Sequence, residues 1–318
     1  MAEIKIECPH CGKRYWVDDA EIDGDIECLR CEKFFTIRPV GATASAAAPV
    51  EPLPESGTQA VFLPAVGLGL MPVAPGVFRL GSDVGQPDEG PVHGVRLTYH
   101  FWIGCTPVTQ AEYEKVMNGA NPSFFRGANL PVENVDWEMA AAFCHKLTDM
   151  QRHLGRIGED RVFRLLTEAE WEFACRGGAT AGPAPVADKT LTAPLLCSFG
   201  DDAARLDTVA WYKANSDGCT HQVAQKPPNA LGLYDLLGNV GEWCLDWHAP
   251  YPATAAASTV VNPSGPAAGT RRVRRGGGWD SIPARCRCTC RLGVAPTCCS
   301  PMLGFRIVLA PVTALRPL

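Results

Sequence analysis

"NALGLYDLLGNVGEWCLDW", residues 229–247, decides how the chain is read. Two carboxylates, Asp235 and Glu242, flank a Gly-containing turn whose backbone carbonyls are exposed. That is the hard, oxygen-rich setting a calcium ion takes. The same residues also suit a metal-free turn, because carboxylates at turns commonly accept hydrogen bonds from backbone amides. Trp243 and Trp247, together with Trp171, Trp211 and Trp279, read as core, since large aromatics dominate burial in a loop-rich domain.

Around this stretch, from Val61 onward, short apolar runs are broken by Gly and Pro, and long amphipathic helices are few. "PVHGVRLTYHFWIG" (91–104) alternates like a strand, while "TQAEYEKVMNG" (109–119) and "DWEMAAAFCHKLTDMQRHLG" (136–155) carry apolar residues at helical spacing. "TEAEWEFACRGG" (167–178) predicts a third helix, with Thr167 as N-cap, Glu170 completing a capping box and the glycines as its stop. The pattern is that of an α+β domain with much irregular loop.

Several blocks follow one another in a familiar order: "PVAPGVFRLGS" (72–82), "FWIGCTPVTQAEY" (101–113), "NPSFF" (121–125), "LPVENVDWEMAAAFCHKL" (130–147), "FRLLTEAEWEFACRGG" (163–178), the opening stretch, and "RRVRRGGGWD" (271–280) through "LGFRIVL" (303–309). Over residues 62–310 the chain resembles the formylglycine-generating enzyme superfamily, whose fold looks like an elaborated C-type lectin. The resemblance implies calcium ligands at Asp235, the carbonyls of Gly238 and Val240, and Glu242; Gly241 stands where that family usually has an aromatic.

Fold alone does not fix function, and this one hosts several activities. The oxidases of the superfamily bind copper through two cysteines five residues apart. Counted from "RGGGW", those positions fall on Ser281 and Cys286. A soft Cu(I) ion needs the thiolate pair, so no copper and no catalytic residue is expected. A sulfoxide-forming relative with a three-histidine iron site fits no better, because His10, His93, His100, His145, His153, His221 and His248 lack facial-triad spacing.

Five of the fifteen cysteines, Cys286, Cys288, Cys290, Cys298 and Cys299, crowd into one loop. Residues 280–301 contain only Asp, Ser, Ile, Pro, Ala, Arg, Cys, Thr, Leu, Gly and Val. All of these have a codon ending in C, whereas the absent Lys, Glu, Gln, Trp and Met have none. Randomising the adenines of AAC codons yields this set, cysteine included. A GC-rich genome explains missing Lys and Glu but not the thiols.

The segment resembles the variable region of proteins diversified by retroelements, in which reverse transcription scrambles adenines and the C-type lectin fold displays the products. That resemblance implies ligand-contacting variable positions at Asp280, Ser281, Ile282, Arg285, Cys286, Cys288, Cys290, Leu292, Gly293, Val294, Thr297, Cys298, Cys299 and Ser300. Framework would be Gly276 to Trp279, Arg287, Arg291, Pro296 and residues 303–306. Arg287, Arg291 and Arg306 can each bridge several loop carbonyls with a rigid five-donor fork. An anionic ligand held by Arg285, Arg287 and Arg291 is the functional alternative. The ligand is expected to be a protein or other macromolecule at the 280–301 face; the competing readings are a formylglycine-generating-type copper oxidase acting on cysteine and an ordinary binding or regulatory member of the superfamily.

Near the N-terminus, "CPHCGKRYWVDDAEIDGDIECLRC" (8–31) holds two C-x-x-C pairs sixteen residues apart. Two such knuckles supply the four soft ligands of a closed zinc site, here Cys8, Cys11, Cys28 and Cys31, with Gly12 in the first turn and "KRYWV" and "KFFTI" as short strands. So small a segment draws its stability from the metal. It resembles the zinc ribbon at the N-terminus of many bacterial proteins, which implies a docking or regulatory module with a partner of unknown class. The expected organisation is a zinc ribbon (1–38), an Ala/Pro-rich tether (39–60), the large domain (61–311) and a tail (312–318).

A net charge of -5 gives no general attraction to nucleic acid. The first residues lack a basic stretch followed by an apolar one, and nothing approaches eighteen uninterrupted apolar residues. A cytoplasmic location with no membrane partner is therefore expected.

Overall fold

The computed structural model describes residues 3–18, 25–31, 33–37, 51–54, 57–178, 203–252 and 259–314. Residues 39–50, 55 and 56 of the expected tether and 315–318 of the expected tail lie outside them. The chain divides into two compact units, Met1–Leu53 with Asp149–Gly158, and Pro54–Thr148 with Glu159–Leu318.

The first unit contains two antiparallel hairpins. Strand β1 (Glu3–Glu7) pairs with β2 (Arg14–Asp18), and β3 (Asp25–Glu27) with β4 (Phe34–Thr36). Each hairpin carries one C-x-x-C at its turn, closed by an N–H of Cys8 to Lys13 O (2.8 Å) and of Cys28 to Lys33 O (2.9 Å). Gly12 takes φ +71°, the left-handed conformation that releases the chain from the first knuckle. Ile6, Phe35 and Ile37 form a small core with Cys8 and Cys28.

The second unit is built on three sheets. β10 (Arg161–Leu165), β16 (Ile307–Pro311), β9 (Phe101–Gly104), β6 (Leu68–Val73) and β5 (Val61–Leu63) lie in that order in the largest. β14 (Arg291–Val294), β13 (Arg272–Arg275), β11 (Gly241–Trp247) and β15 (Leu303–Phe305) make a four-stranded sheet, and β12 (Thr259–Val261), β8 (His93–Leu97) and β7 (Gly76–Leu80) a three-stranded one. The expected single strand over 91–104 is in fact two, β8 and β9, in different sheets. The chain leaves β8 where the Thr98 N–H is taken by Asn262 Oδ1 (2.9 Å), so alternation continues across a break that apolar pattern alone does not register.

Helices α1 (Gln110–Val116), α2 (Trp137–His153), α3 (Glu168–Cys175) and α4 (Ala203–Val209) complete the element order. α3 has the capping box its sequence predicts: Glu170 N–H donates to Thr167 Oγ1 (3.2 Å) and Thr167 N–H to Glu170 Oε2 (2.8 Å). Trp171 and Trp243 are fully buried as expected. Trp211, Trp247 and Trp279 are instead half-buried; Trp247 shares the Arg272 guanidinium with Trp137, at 3.5 and 3.7 Å from the two rings.

Every residue of α3 is buried, so its acidic side chains must be answered from neighbouring elements. Arg164 answers Glu170 with two hydrogen bonds of 2.7 and 2.8 Å. Asp246 of β11 accepts the Glu168 N–H at 2.9 Å; burial and then the charge of Glu168 push its carboxyl up to about 8. A carboxyl raised in the folded state keeps a proton that the unfolded chain releases near pH 4, so its contribution to stability falls as pH climbs from about 4 to about 8. Asp246→Asn keeps the acceptor and is expected to flatten the fall in Tm between about pH 5 and pH 8. Parallel Tm profiles for the two proteins would refute that assignment.

Candidate functional site

The segment 280–301 is hung on a glycine turn. Gly276 and Gly277 take φ +90° and +76°, and a Cβ on Gly277 would lie 2.8 Å from Cys286 Sγ and 3.0 Å from Arg285 O. From that turn the chain passes through a 3-10 turn at Pro283–Arg285 and enters β14, which pairs antiparallel with β13. Between them opens a cleft of about 300 Å³ lined by Arg274, Arg275, Gly276, Gly277, Asp280, Ser281, Ile282, Arg285, Cys290, Leu292 and Met302.

Six of the fourteen expected variable positions therefore share the cleft: Asp280, Ser281, Ile282, Arg285, Cys290 and Leu292. Gly293, Val294, Cys298 and Ser300 are half-buried, and Thr297 and Cys299 exposed, away from its lining. Display does not hold for Cys286, Cys288 and Cys290, which are 1, 0 and 3% exposed. Cys286 and Cys288 belong to the main core, and Cys290 lines the cleft while almost wholly buried.

Two forces draw these thiols inward. Cysteine packs as a small apolar side chain, and Arg275 pins the backbone above the core through the carbonyls of Cys288 (2.8 Å), Thr289 (2.8 Å) and Cys290 (3.2 Å). Burial pushes the Cys286 thiol up to about 12. Alkylation of the native protein is expected to mark Cys299 fast and Cys286, Cys288 and Cys290 only on unfolding, as peptide mass spectrometry would read. Early labelling of Cys288 would contradict the burial.

The loop arginines act as scaffold. Arg291 grips Glu168 with two bonds of 2.7 Å and also reaches Asp88 O (3.0 Å) and Ala249 O (2.8 Å). Arg287 pairs with both oxygens of Glu89 and bonds Ala284 O. Arg306 bonds Gly104 O (2.7 Å), Tyr234 O (2.6 Å) and Glu242. Arg287 and Arg291 are thus already engaged, and the anion site expected at Arg285, Arg287 and Arg291 is not formed as a set.

In the first unit the sulfurs of Cys8, Cys11, Cys28 and Cys31 all lie within 4.8 Å of one another, with Cys8 to Cys31 at 3.8 Å and Cys11 to Cys28 at 3.5 Å. A tetrahedral zinc with bonds of about 2.3 Å places its sulfurs about 3.8 Å apart, so the donor set fits such an ion. Among the described residues it is the one cluster of three or more His, Cys, Asp or Glu able to hold a metal. Burial opposes charge on Cys28, yet hydrogen bonds from the Tyr15 hydroxyl (3.0 Å) and the Arg30 and Cys31 backbone bring its thiol down to about 5.

Residues 67–311 match the sulfatase-modifying factor enzyme 1-like domain. The chain belongs to that family. It is 31% identical over 256 residues to the serine/threonine-protein kinase pkn1 of Chlamydia pneumoniae, a match taking in 73% of this chain but only 36% of the kinase. Against the formylglycine-generating enzyme of Thermomonospora curvata it is 32% identical, covering 78% of this chain and 95% of the enzyme. Among solved structures, Treponema denticola variable protein 1 superimposes with a TM-score of 0.66 at 30% identity, over 80% of this chain and 99% of that one. The expected α+β, C-type-lectin-like fold is thereby borne out.

Two ion sites implied by the sulfatase-modifying factor resemblance meet a different fate here. Glu242 faces Trp171 Nε1 (2.7 Å) and the Arg306 guanidinium (2.9 to 3.2 Å), while Asp235 accepts the Ala224 N–H (2.7 Å) and the Asn239 amide (3.5 Å). Gly238 is packed against the Trp211 backbone and Val240 is buried. Both carboxylates already have protein donors, one of them cationic, so this set does not fit calcium. At the copper position Ser281 Oγ accepts the Gly278 N–H (2.9 Å), and Cys286 is a buried, protonated thiol. That pair does not fit copper either.

Arg274 and Met302 of the cleft were not singled out by sequence. The signal is present in the period of β13, where Val273 and Arg275 are buried and Arg272 and Arg274 half-buried, but four arginines in five positions give no hint of which lacks a carboxylate.

Proposed function

We propose that the protein is a non-enzymatic ligand-binding member of the sulfatase-modifying factor family, whose residues 280–301 form a recognition surface diversified by a retroelement. The observation that carries this reading is the cleft, six of whose lining residues are positions of the compositionally restricted segment. The likeness to Treponema denticola variable protein 1 supports it. So does the division of labour in the loop: Arg275, Arg287, Arg291 and Arg306 hold the backbone, which leaves Asp280, Ile282, Thr297 and Cys299 exposed and free to vary. The ligand is a protein or other macromolecule, the four-cysteine cluster holds structural zinc, and the ribbon docks a separate partner. Among the described residues no helix is long and apolar enough to cross a membrane, which is compatible with a cytoplasmic setting.

The rival reading, a copper oxidase acting on cysteine, draws on the relatives named formylglycine-generating enzyme. Titration with Cu(I) and incubation with a cysteine-containing peptide separates the two. The ligand-binding reading expects no stoichiometric copper in the second unit and no aldehyde; an aldehyde lost in Cys286→Ala would establish the oxidase.

A further inference from the structure

We infer that the cleft takes a carboxylate of a protein ligand, from an acidic side chain or chain end, seated against Arg274 with Arg285 beside it. The inference rests on the reading of the cleft as a ligand site. Arg164, Arg176, Arg275, Arg287, Arg291 and Arg306 each face a glutamate. Arg274 does not. Among the described residues its Nη2 reaches Met302 O at 3.3 Å alone, and its Nε is buried without a hydrogen-bond partner. Burial lowers its pKa, and Arg285 adds a like charge nearby.

The chain has made room for this cation. A Cβ on Gly241 would fall 2.0 Å from Arg274 Nε, and one on Gly278 3.2 Å from Nη2. The guanidinium thus fills the slot left by two missing side chains. A buried charge is costly unless an opposite charge answers it, and a carboxylate in the cleft would answer this one. The acid already in the lining, Asp280, stands half-exposed at the rim and is paired with Lys213 at 3.3 Å. Ile282, Leu292 and Met302 give the cleft apolar walls suited to the methylene stem of a side chain. A compact cleft on a chain of net charge -5 is a poor track for a phosphate backbone, which needs a row of cations.

The test is to pan a random heptapeptide library against the full chain, Arg274→Met, Arg274→Lys and Arg285→Gln, each first checked for an unchanged Tm. The wild type is expected to enrich peptides sharing an Asp, a Glu or a free C-terminal carboxylate. Arg274→Met should weaken those peptides by about ten- to a hundredfold, Arg274→Lys and Arg285→Gln by less. Enriched peptides without an acid, or acidic ones indifferent to Arg274→Met, overturn the inference and leave the ligand site standing. No enrichment by any of the proteins overturns both. Single-stranded oligonucleotides that bind with the same Arg274 dependence, where acidic peptides do not, would make the anion a phosphate and also end the proposal.

Discussion

Arg275→Met is expected to destabilise the second unit by about 3–5 kcal/mol, the usual cost of breaking a buried ion pair from one side. The guanidinium pairs with Glu172, lies 3.6 Å from Glu168 and ties three consecutive loop carbonyls, all out of contact with water. Methionine fills much of the volume but leaves the buried Glu172 with Arg176 as its one remaining cation among the described residues and orphans the carbonyls of Cys288, Thr289 and Cys290. Urea unfolding followed by circular dichroism would read the loss directly. A change below about 1 kcal/mol, the size expected of an exposed pair, would mean that the loop is not clamped here.

Stripping metal from the four-cysteine cluster is expected to have a still larger local effect. Among the described residues, the hairpins of the first unit bury Ile6, Phe35 and Ile37 besides Cys8 and Cys28, too little apolar surface to hold them folded. Structural zinc in such modules is worth about 10–16 kcal/mol of apparent binding free energy, nearly all of it spent on folding. One zinc per chain by mass spectrometry, and loss of amide protection in β1 to β4 after chelation, are the expected results. Cys28→Ser should reproduce the loss without chelator. Protection that survives both treatments would show that the hairpins do not depend on metal.

Much of this is legible in the sequence. Ordered blocks gave the fold, matched C-x-x-C pairs gave the cysteine cluster, and Thr167 with Glu170 gave the start of α3, because each is written in local spacing. What was missed depends on register between distant strands. Glu242 looks like a calcium ligand in its own loop, but Arg306, next to β15, delivers a guanidinium to it. Cys286, Cys288 and Cys290 look like displayed residues by composition, yet pairing of β14 with β13 and the Arg275 clamp turn them inward. Arg274 is one of four arginines among five residues, and Gly241 across the sheet explains where it goes.

That inward turn sharpens what diversification can do. Positions at the cleft, such as Asp280, Ile282 and Leu292, can accept side chains of many sizes, whereas buried positions 286, 288 and 290 tolerate only small ones. The most direct measurement is the sequence of the DNA flanking the gene in several strains. The proposed function requires a near-copy of the 280–301 coding segment beside a reverse transcriptase gene, with adenines at the differing positions and with strain variation broad at 280, 282 and 292 but confined to small residues at 286, 288 and 290. An invariant segment with no such copy would mean that this loop is an ordinary part of the fold, and the diversified-surface reading would be wrong.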